Sequence, residues 1–169
     1  MTQSDCFVEL SVRSNIVDTI LERAKNTEKD WNKLLEQSIL NLHISDFQDD
    51  TEIYSAIKDL GAEKRLSVFR FNPNVCYNWH IDKIRHVSIN MLLDGFDSFC
   101  AFGDLSLQNK FINFHRLVHK PDIYYLMNVK KMHCVFNFSQ QMRYILSIGI
   151  PDIKYEDVVL YFKNKNLLA

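Results

Sequence analysis

A series of short apolar segments between residues 66 and 150 constrains the fold of this chain most strongly. Within the segments, β-branched and aromatic side chains are frequent and polar residues tend to take alternate positions, which is typical of strands. Turn residues separate them, as in antiparallel sandwiches and barrels. We therefore predict strands over residues 66–71, 76–82, 86–93, 96–102, 110–117, 123–128, 133–138 and 143–150.

The regions before and after these segments show a helical spacing of apolar side chains. We predict two helices over residues 14–42, a third over residues 51–60 that stops at Gly61, and a last helix over residues 155–163. The apolar residues of the first two helices are Ile16, Val17, Ile20, Leu21 and Ala24, and then Trp31, Leu34, Leu35, Ile39 and Leu42. The predicted fold class is mainly β with N-terminal helices. We expect one domain over residues 1–169, with a helical scaffold over 1–62, a β core over 66–150 and a C-terminal segment over 151–169.

Composition excludes several classes of protein. With 169 residues, of which 47% are hydrophobic, the chain has enough apolar material for one core. A net charge of -1 and a pI near 6.6 give no indication of general nucleic-acid binding. No apolar run approaches the ~18 residues of a membrane span. The four cysteines lack the spacing of a zinc knuckle or a disulfide framework, so we expect reduced thiols and a cytoplasmic protein, either monomer or homodimer.

Four polar residues interrupt apolar strands where their burial would be unfavourable. His80 and Asp82 lie two positions apart and would share one face of a strand. His133 begins another predicted strand, and Arg143, ten residues later, begins the last one. Two imidazoles and a carboxylate form the donor set that holds Fe(II) on one face and leaves coordination positions open. A divalent metal and a bound dicarboxylate would together satisfy these four groups.

The four residues and their spacing resemble the 2-oxoglutarate and Fe(II)-dependent dioxygenase superfamily, whose motif is His-x-Asp, a distal His and an Arg about ten residues later. The similarity is strongest to aspartyl/asparaginyl beta-hydroxylase-like or prolyl hydroxylase-like members, and rests on His133-Cys-Val-Phe-Asn-Phe-Ser-Gln-Gln-Met-Arg143-Tyr-Ile-Leu-Ser147-Ile. It covers residues 66–150 and implies a dioxygenase domain with a double-stranded beta-helix, the cupin-like jelly roll. Some members of the first branch lack the metal-binding carboxylate, whereas Asp82 is present here. This departure places the chain closer to the general superfamily pattern and weakens the transfer of that branch's substrate.

The resemblance implies a role for each motif residue. His80, Asp82 and His133 would bind Fe(II), with 2-oxoglutarate and O2 as cosubstrates. Arg143 would pair with the far carboxylate of 2-oxoglutarate through two parallel hydrogen bonds, and Ser147, on the same strand face, would assist it. Taken singly, either histidine has the alternative of a structural role. For Arg143 the alternative is a surface ion pair with an acid such as Asp152 or Glu156.

Four neighbouring residues are further candidates. Ser88 and Asn90 share a strand face beyond the metal motif, so they would hydrogen-bond the cosubstrate; ordinary strand contacts are the alternative. Arg85 and Trp79 flank the motif and are candidates for contact with the substrate. The alternatives are a solvated loop arginine and a packing tryptophan.

The expected activity is hydroxylation of a C–H bond, with release of succinate and CO2. An amino acid, a peptide side chain or a small molecule would be the substrate. Oxidation of a nucleobase or another small metabolite by the same chemistry is an alternative, which a basic or aromatic cleft around the site would favour. A cupin-like metal-binding protein with a non-oxygenase function and a non-catalytic jelly-roll module are two others, but neither gives Arg143 a task.

Overall fold

Antiparallel strands dominate the computed structural model, which describes residues 1–27, 30–33, 37–105 and 111–169. The strands are β1 (Phe7–Arg13), β2 (Asn32–Lys33), β3 (Gln37–Asn41), β4 (Leu66–Phe71), β5 (Val75–His80), β6 (Val87–Asp94), β7 (Ser98–Leu105), β8 (Phe111–Leu117), β9 (Ile123–Asn128), β10 (His133–Asn137) and β11 (Arg143–Ile150). The helices are α1 (Val17–Asn26), α2 (Thr51–Asp59) and α3 (Tyr155–Asn164), and two short 3-10 helices span Gln3–Asp5 and Ile44–Phe47. Each of the eight strands predicted from residue 66 onward matches one of β4 to β11. Residue 110, the first of the strand predicted over 110–117, lies outside the described residues.

The strands form two sheets whose order identifies the fold. The larger sheet runs β1-β9-β6-β11-β4-β3-β2, and the smaller runs β5-β10-β7-β8. From β4 onward, the chain passes between a layer of β4, β11, β6 and β9 and a layer of β5, β10, β7 and β8. Two antiparallel layers of four strands connected in this way make a jelly roll. The predicted double-stranded beta-helix is therefore confirmed.

The central strand β11 separates the helical side of the molecule from the interior of the jelly roll. All of its residues are buried. Leu146 and Ile148 belong to the main apolar cluster, whereas Ile145 and Ser147 face a cavity between the sheets. The helices contribute to the apolar cluster through Ile20, Ile57 and Phe162. Because burial of each such side chain contributes about 1.5–3 kcal/mol, this packing fixes the face of β11 that points inward.

The second predicted helix, from about residue 27 to residue 42, is wrong. The structure places β2 and β3 there, and β3 pairs with β4 so that Ile39 lies opposite Phe69. Leu40 is buried, and Trp31 packs edge-on against Tyr144. Backbone pairing with a preformed sheet edge outweighs the weak helical propensity of this segment. Leu34 and Leu35, also assigned to that helix, lie outside the described residues.

The N-terminal region is also less helical than predicted. Strand β1 lies in the region expected to be a helical scaffold, and pairs with β9 at the edge of the larger sheet. Helix α1 begins at Val17 and α2 ends at Asp59, close to the predicted bounds of the first and third helices. Among the described residues, none of the helices combines the length and apolar character needed to cross a bilayer.

A buried carboxylate ties the helical region to the larger sheet. Asp50, which precedes α2, accepts hydrogen bonds from the Ser14 hydroxyl at 2.8 Å, the Asn15 amide at 2.7 Å and the Tyr124 hydroxyl at 2.5 Å. Asp50 is only 2% exposed. Burial, and then the Asp50 charge, raise the pKa of Tyr124 well above its ordinary value, so the phenol remains a donor.

We expect Asp50→Ala to lower the free energy of unfolding by about 3 kcal/mol, because the buried Tyr124 hydroxyl and two partly buried donors lose their acceptor. Urea denaturation followed by circular dichroism measures the loss. The neighbouring Asp49→Ala, at an exposed position, should change it by less than about 0.5 kcal/mol. Equal effects of the two substitutions would show that Asp50 does not hold the helices to the sheet.

Candidate metal centre

The pairing of β5 with β10 brings the two motif histidines together. His80 is the last residue of β5, His133 is the first residue of β10, and they are directly opposite partners. Asp82 lies beyond the end of β5, where its amide donates to the Val129 carbonyl at 3.0 Å. The candidate donor atoms of the three side chains all lie within 4.8 Å of one another, and His80 Nε2 is 3.4 Å from Asp82 Oδ1. The structure therefore brings together the three residues that the sequence predicted as metal ligands.

Backbone carbonyls orient both imidazoles. His80 Nδ1 donates to the Asn78 carbonyl at 2.7 Å, and His133 Nδ1 donates to the Lys131 carbonyl at 2.9 Å. With the proton on Nδ1, each neutral ring carries its lone pair on Nε2. This arrangement is typical of metal-ligating histidines, whose second ring nitrogen is hydrogen-bonded to an orienting group.

The charges of the three residues suit a divalent cation. Burial acts to raise the pKa of Asp82, but the hydrogen bond from His80 and the charge of Arg85 outweigh it and lower that pKa to about 2. Burial, with a contribution from His80, lowers the pKa of His133 to about 4. The pKa of His80 is raised: burial opposes this, but the contacts with Asp82 and the Asn78 carbonyl prevail. Asp82 is thus ionised and His133 neutral near pH 7, while a metal would compete with a proton at His80.

The cluster opens into a cavity of about 120 Å³ between the two sheets. Its walls are mainly apolar and aromatic, with a few polar groups, as in small-molecule sites. The lining includes Phe69, Phe71, Tyr77, Asn90, Cys100, Met127, Val129, Val135, Ile145 and Ser147.

Arg143 is a fully buried cation beside this cavity. Its Nη2 lies 3.5 Å from Cys100 Sγ, and its guanidinium lies 5.7 Å from the centre of the Phe71 ring; both neighbours line the cavity. Its Nε and Nη1 have no hydrogen-bond partner among the described residues, and no acid there forms an ion pair with it. Burial, and then the charge of Arg143, hold the pKa of His119 well below its ordinary value. A buried charge without a counterion is strongly unfavourable, so this arginine fits a site that receives an anion.

Arg85 connects the metal cluster to the predicted cosubstrate residues. Its Nε donates to Asp82 Oδ2, its Nη1 donates to Ser147 Oγ at 2.8 Å, and its guanidinium lies 5.4 Å from the Phe69 ring centre. It is therefore a structured part of the site rather than a solvated loop residue.

The hydrogen-bond chain continues from Ser147 across two strands. The Ser88 and Ser147 hydroxyls lie 2.9 Å apart, Ser88 Oγ donates to Asn90 Oδ1 at 2.5 Å, and Asn90 Nδ2 lies 3.0 Å from Met127 Sδ. Asn90 and Ser147 line the cavity. Ser88, Asn90 and Ser147 share one interior face, as their strand positions predicted, but the arginine that contacts the two serines is Arg85 rather than Arg143.

Trp79 does not reach this cavity. It packs edge-on against Phe114 and Phe136, with ring centres 6.2 and 6.5 Å away, on the face of β5 opposite to His80. The expected contact of Trp79 with a substrate is therefore not supported by the geometry.

Tyr77 also lines the cavity, although strict alternation along β5 would turn it away from His80. It lies opposite Val135, whereas His80 lies opposite His133, so three steps on β5 match two on β10. This bulge turns both Tyr77 and His80 inward despite their opposite parity. The Tyr77 hydroxyl is 3.3 Å from Gln37 Nε2. No signal in the sequence marks the bulge.

No protein-family profile matches the sequence, and no curated protein matches it. Many solved structures match this chain in fold, and three crystal structures illustrate the similarity. A prolyl-4-hydroxylase from Pseudomonas putida has a TM-score of 0.56 at 11% identity, with 86% of this chain and 92% of that one covered. The non-heme alpha ketoglutarate dependent epimerase SnoN from nogalamycin biosynthesis has a TM-score of 0.56 at 11% identity, and the match covers 83% of this chain and 74% of that one.

The third is HygX from Streptomyces hygroscopicus, solved with nickel, 2-oxoglutarate and hygromycin B. It has a TM-score of 0.58 at 10% identity, and the match covers 92% of this chain and 90% of that one. The resemblance predicted from the sequence is thus confirmed at the level of the fold: this chain has the double-stranded beta-helix that 2-oxoglutarate-dependent oxygenases share.

Proposed function

We propose that this protein is an Fe(II)- and 2-oxoglutarate-dependent oxygenase. The observation that carries the proposal is the convergence, beside one cavity, of a His80, Asp82 and His133 cluster and a buried, unpaired Arg143. The fold similarity to a 2-oxoglutarate-bound protein supports it. A cupin-like protein of another function would need the three ligands but would have no use for the buried cation.

The three side chains of the cluster would bind a ferrous ion without a change in the tautomer of either histidine. His80 and His133 present Nε2, and Asp82 presents Oδ1 while Arg85 engages its other oxygen. When bound, Fe(II) with 2-oxoglutarate and O2 supplies the oxidising chemistry and leaves succinate and CO2, whereas the protein supplies binding and orientation. Arg85 keeps the carboxylate ionised and limits its rotation.

Arg143 holds the far carboxylate of 2-oxoglutarate in this proposal. Its Nε and Nη1 have no partner among the described residues, so the guanidinium has donors available for a carboxylate, and its complete burial excludes water from the contact. Ser147 and Asn90 border the same cavity, and Ser88 supports both through hydrogen bonds. We assign these three a secondary role in orienting the cosubstrate.

The proposed reaction is hydroxylation of a C–H bond of an amino acid or a peptide side chain. Oxidation of another small metabolite is the second candidate, and the basic cleft described below supports it. We also propose a cytoplasmic location, because the four cysteines, all of them among the described residues, form no disulfide bond.

We expect His133→Ala to weaken Fe(II) binding by more than about 100-fold, because the loss of a ligand exceeds the usual effect of losing an orienting partner. Anaerobic titration of wild type with Fe(II) and 2-oxoglutarate should give a weak visible charge-transfer band, which the variant should lack. His115→Ala is the matched control, since His115 bonds the Met1 carbonyl. Persistence of the band in His133→Ala would remove His133 from the ligand set.

Arg143→Met should separate cosubstrate binding from folding. Removal of the unpaired charge should leave the protein without 2-oxoglutarate as stable as wild type, or up to about 3 kcal/mol more stable. The same substitution should weaken 2-oxoglutarate binding by about 100-fold or more, since two charge-assisted hydrogen bonds are lost. Unfolding curves with and without 2-oxoglutarate, in the zinc-loaded protein, measure both effects.

The matched control is Arg116→Met, at an exposed position on β8. It should leave 2-oxoglutarate binding unchanged. A large loss of stability in Arg143→Met, with 2-oxoglutarate still stabilising the variant, would mean that Arg143 is a structural residue.

A further inference from the structure

A second depression adjoins the metal cavity and opens to the surface. It has a volume of about 360 Å³ and shares Phe69, Asp82, Arg85 and Ser147 with the cavity. Its remaining walls come from β3, the residues just before β4 and at its start, the loop between β5 and β6, and Gly149 of β11. A molecule bound there would therefore lie directly beside the metal cluster.

This depression is strongly basic. Lys64, Arg65, Lys83 and Arg85 line it, and Asp82 is the acid in its wall. Because Arg85 and Asp82 form an ion pair, the charges of the other three remain uncompensated. Over the described ranges 1–27, 30–33, 37–105 and 111–169, the side chains of those three make no hydrogen bond or ion pair. The whole chain carries a net charge of -1, so the depression is a local concentration of positive charge.

Gly149 allows two arginines to lie side by side in this basic cleft. A Cβ placed on Gly149 would be 3.3 Å from Arg65 Cβ, 3.5 Å from Arg65 Cδ and 3.3 Å from Arg85 Cδ. The Gly149 amide also donates to the Arg65 carbonyl at 2.9 Å, which fixes the backbone of Arg65. Arg85 is already engaged by Asp82 and Ser147. Arg65 is therefore held next to the site with its guanidinium available.

We infer that the basic cleft binds an anionic group of the organic substrate, a carboxylate or a phosphate, with Arg65 as its main partner and Lys64 and Lys83 beside it. This inference rests on the proposed function and names the substrate class. The anion is distinct from the cosubstrate because Arg143 lies buried inside the jelly roll, whereas Arg65 lies at the cleft. The volume suits a small molecule of metabolite or amino-acid size.

Binding of matched pairs to the protein loaded with zinc and 2-oxoglutarate tests this inference. The carboxylate arm compares free L-amino acids with their carboxamides; the phosphate arm compares phosphoserine, phosphotyrosine and ribose 5-phosphate with the unphosphorylated compounds. Calorimetric titration should give at least one acid that binds 10-fold or more tightly than its neutral partner. The arm in which that acid occurs identifies the anion.

Substitution of Arg65 then tests the cleft itself. Arg65→Gln should weaken binding of that acid by about 10-fold and leave the neutral partner unaffected, whereas Arg65→Lys should stay within about threefold of wild type. Arg13→Gln, at an exposed position on the far edge strand β1, is the matched control and should behave as wild type.

Three outcomes would overturn the inference: no acid binds, acids and neutral partners bind alike, or Arg65→Gln matches wild type. Tighter binding of a short single-stranded oligonucleotide than of every small acid would overturn it too. Zinc and 2-oxoglutarate binding are measured first in wild type. Their absence would count against the proposed function, whereas their presence without a preference for acids would count against the cleft alone.

Discussion

The antiparallel pairing of β5 with β10 is the interaction on which the rest of the site depends. It sets His80 opposite His133, and the chain that leaves β5 returns Asp82 to the same point through its bond to the Val129 carbonyl. Backbone carbonyls then fix the proton on Nδ1 of both rings. The geometry that suits a metal is therefore a product of sheet register, and a shift of one residue would turn a histidine away from the cluster.

Unbalanced positive charge is the second organising feature. Arg143 lies buried on β11 with no ion pair to an acid of the described residues, while Arg65, Lys64 and Lys83 surround a cleft in which Asp82 is already paired. Such an arrangement lowers the stability of the free protein and is compensated when anions bind. In the proposed function, the inner charge suits the diacid cosubstrate and the outer charges suit an anionic substrate. Arg85, bound to Asp82 and Ser147, lies between the two.

Sequence periodicity was sufficient for the jelly-roll strands, because alternate residues of a strand share a face. The spacing of the motif indicated the three residues, His80, Asp82 and His133, that converge in the structure. Periodicity failed at residues 37–42, where apolar spacing indicated a helix but pairing with β4 produced β3. It also missed the inward position of Tyr77, because a bulge between β5 and β10 breaks the parity rule. The basic cleft joins residues that are distant in the sequence, such as Lys64, Lys83 and Gly149, so only the fold brings it together.

The central claim is that one metal ion contacts both imidazoles and the carboxylate. A crystal structure of the zinc-loaded protein with anomalous data tests it most directly. We expect one strong peak at about 2.0–2.2 Å from Nε2 of His80, Nε2 of His133 and Oδ1 of Asp82. A zinc ion held elsewhere, or an intact His80 to Asp82 hydrogen bond with no metal between them at saturating zinc, would contradict the account.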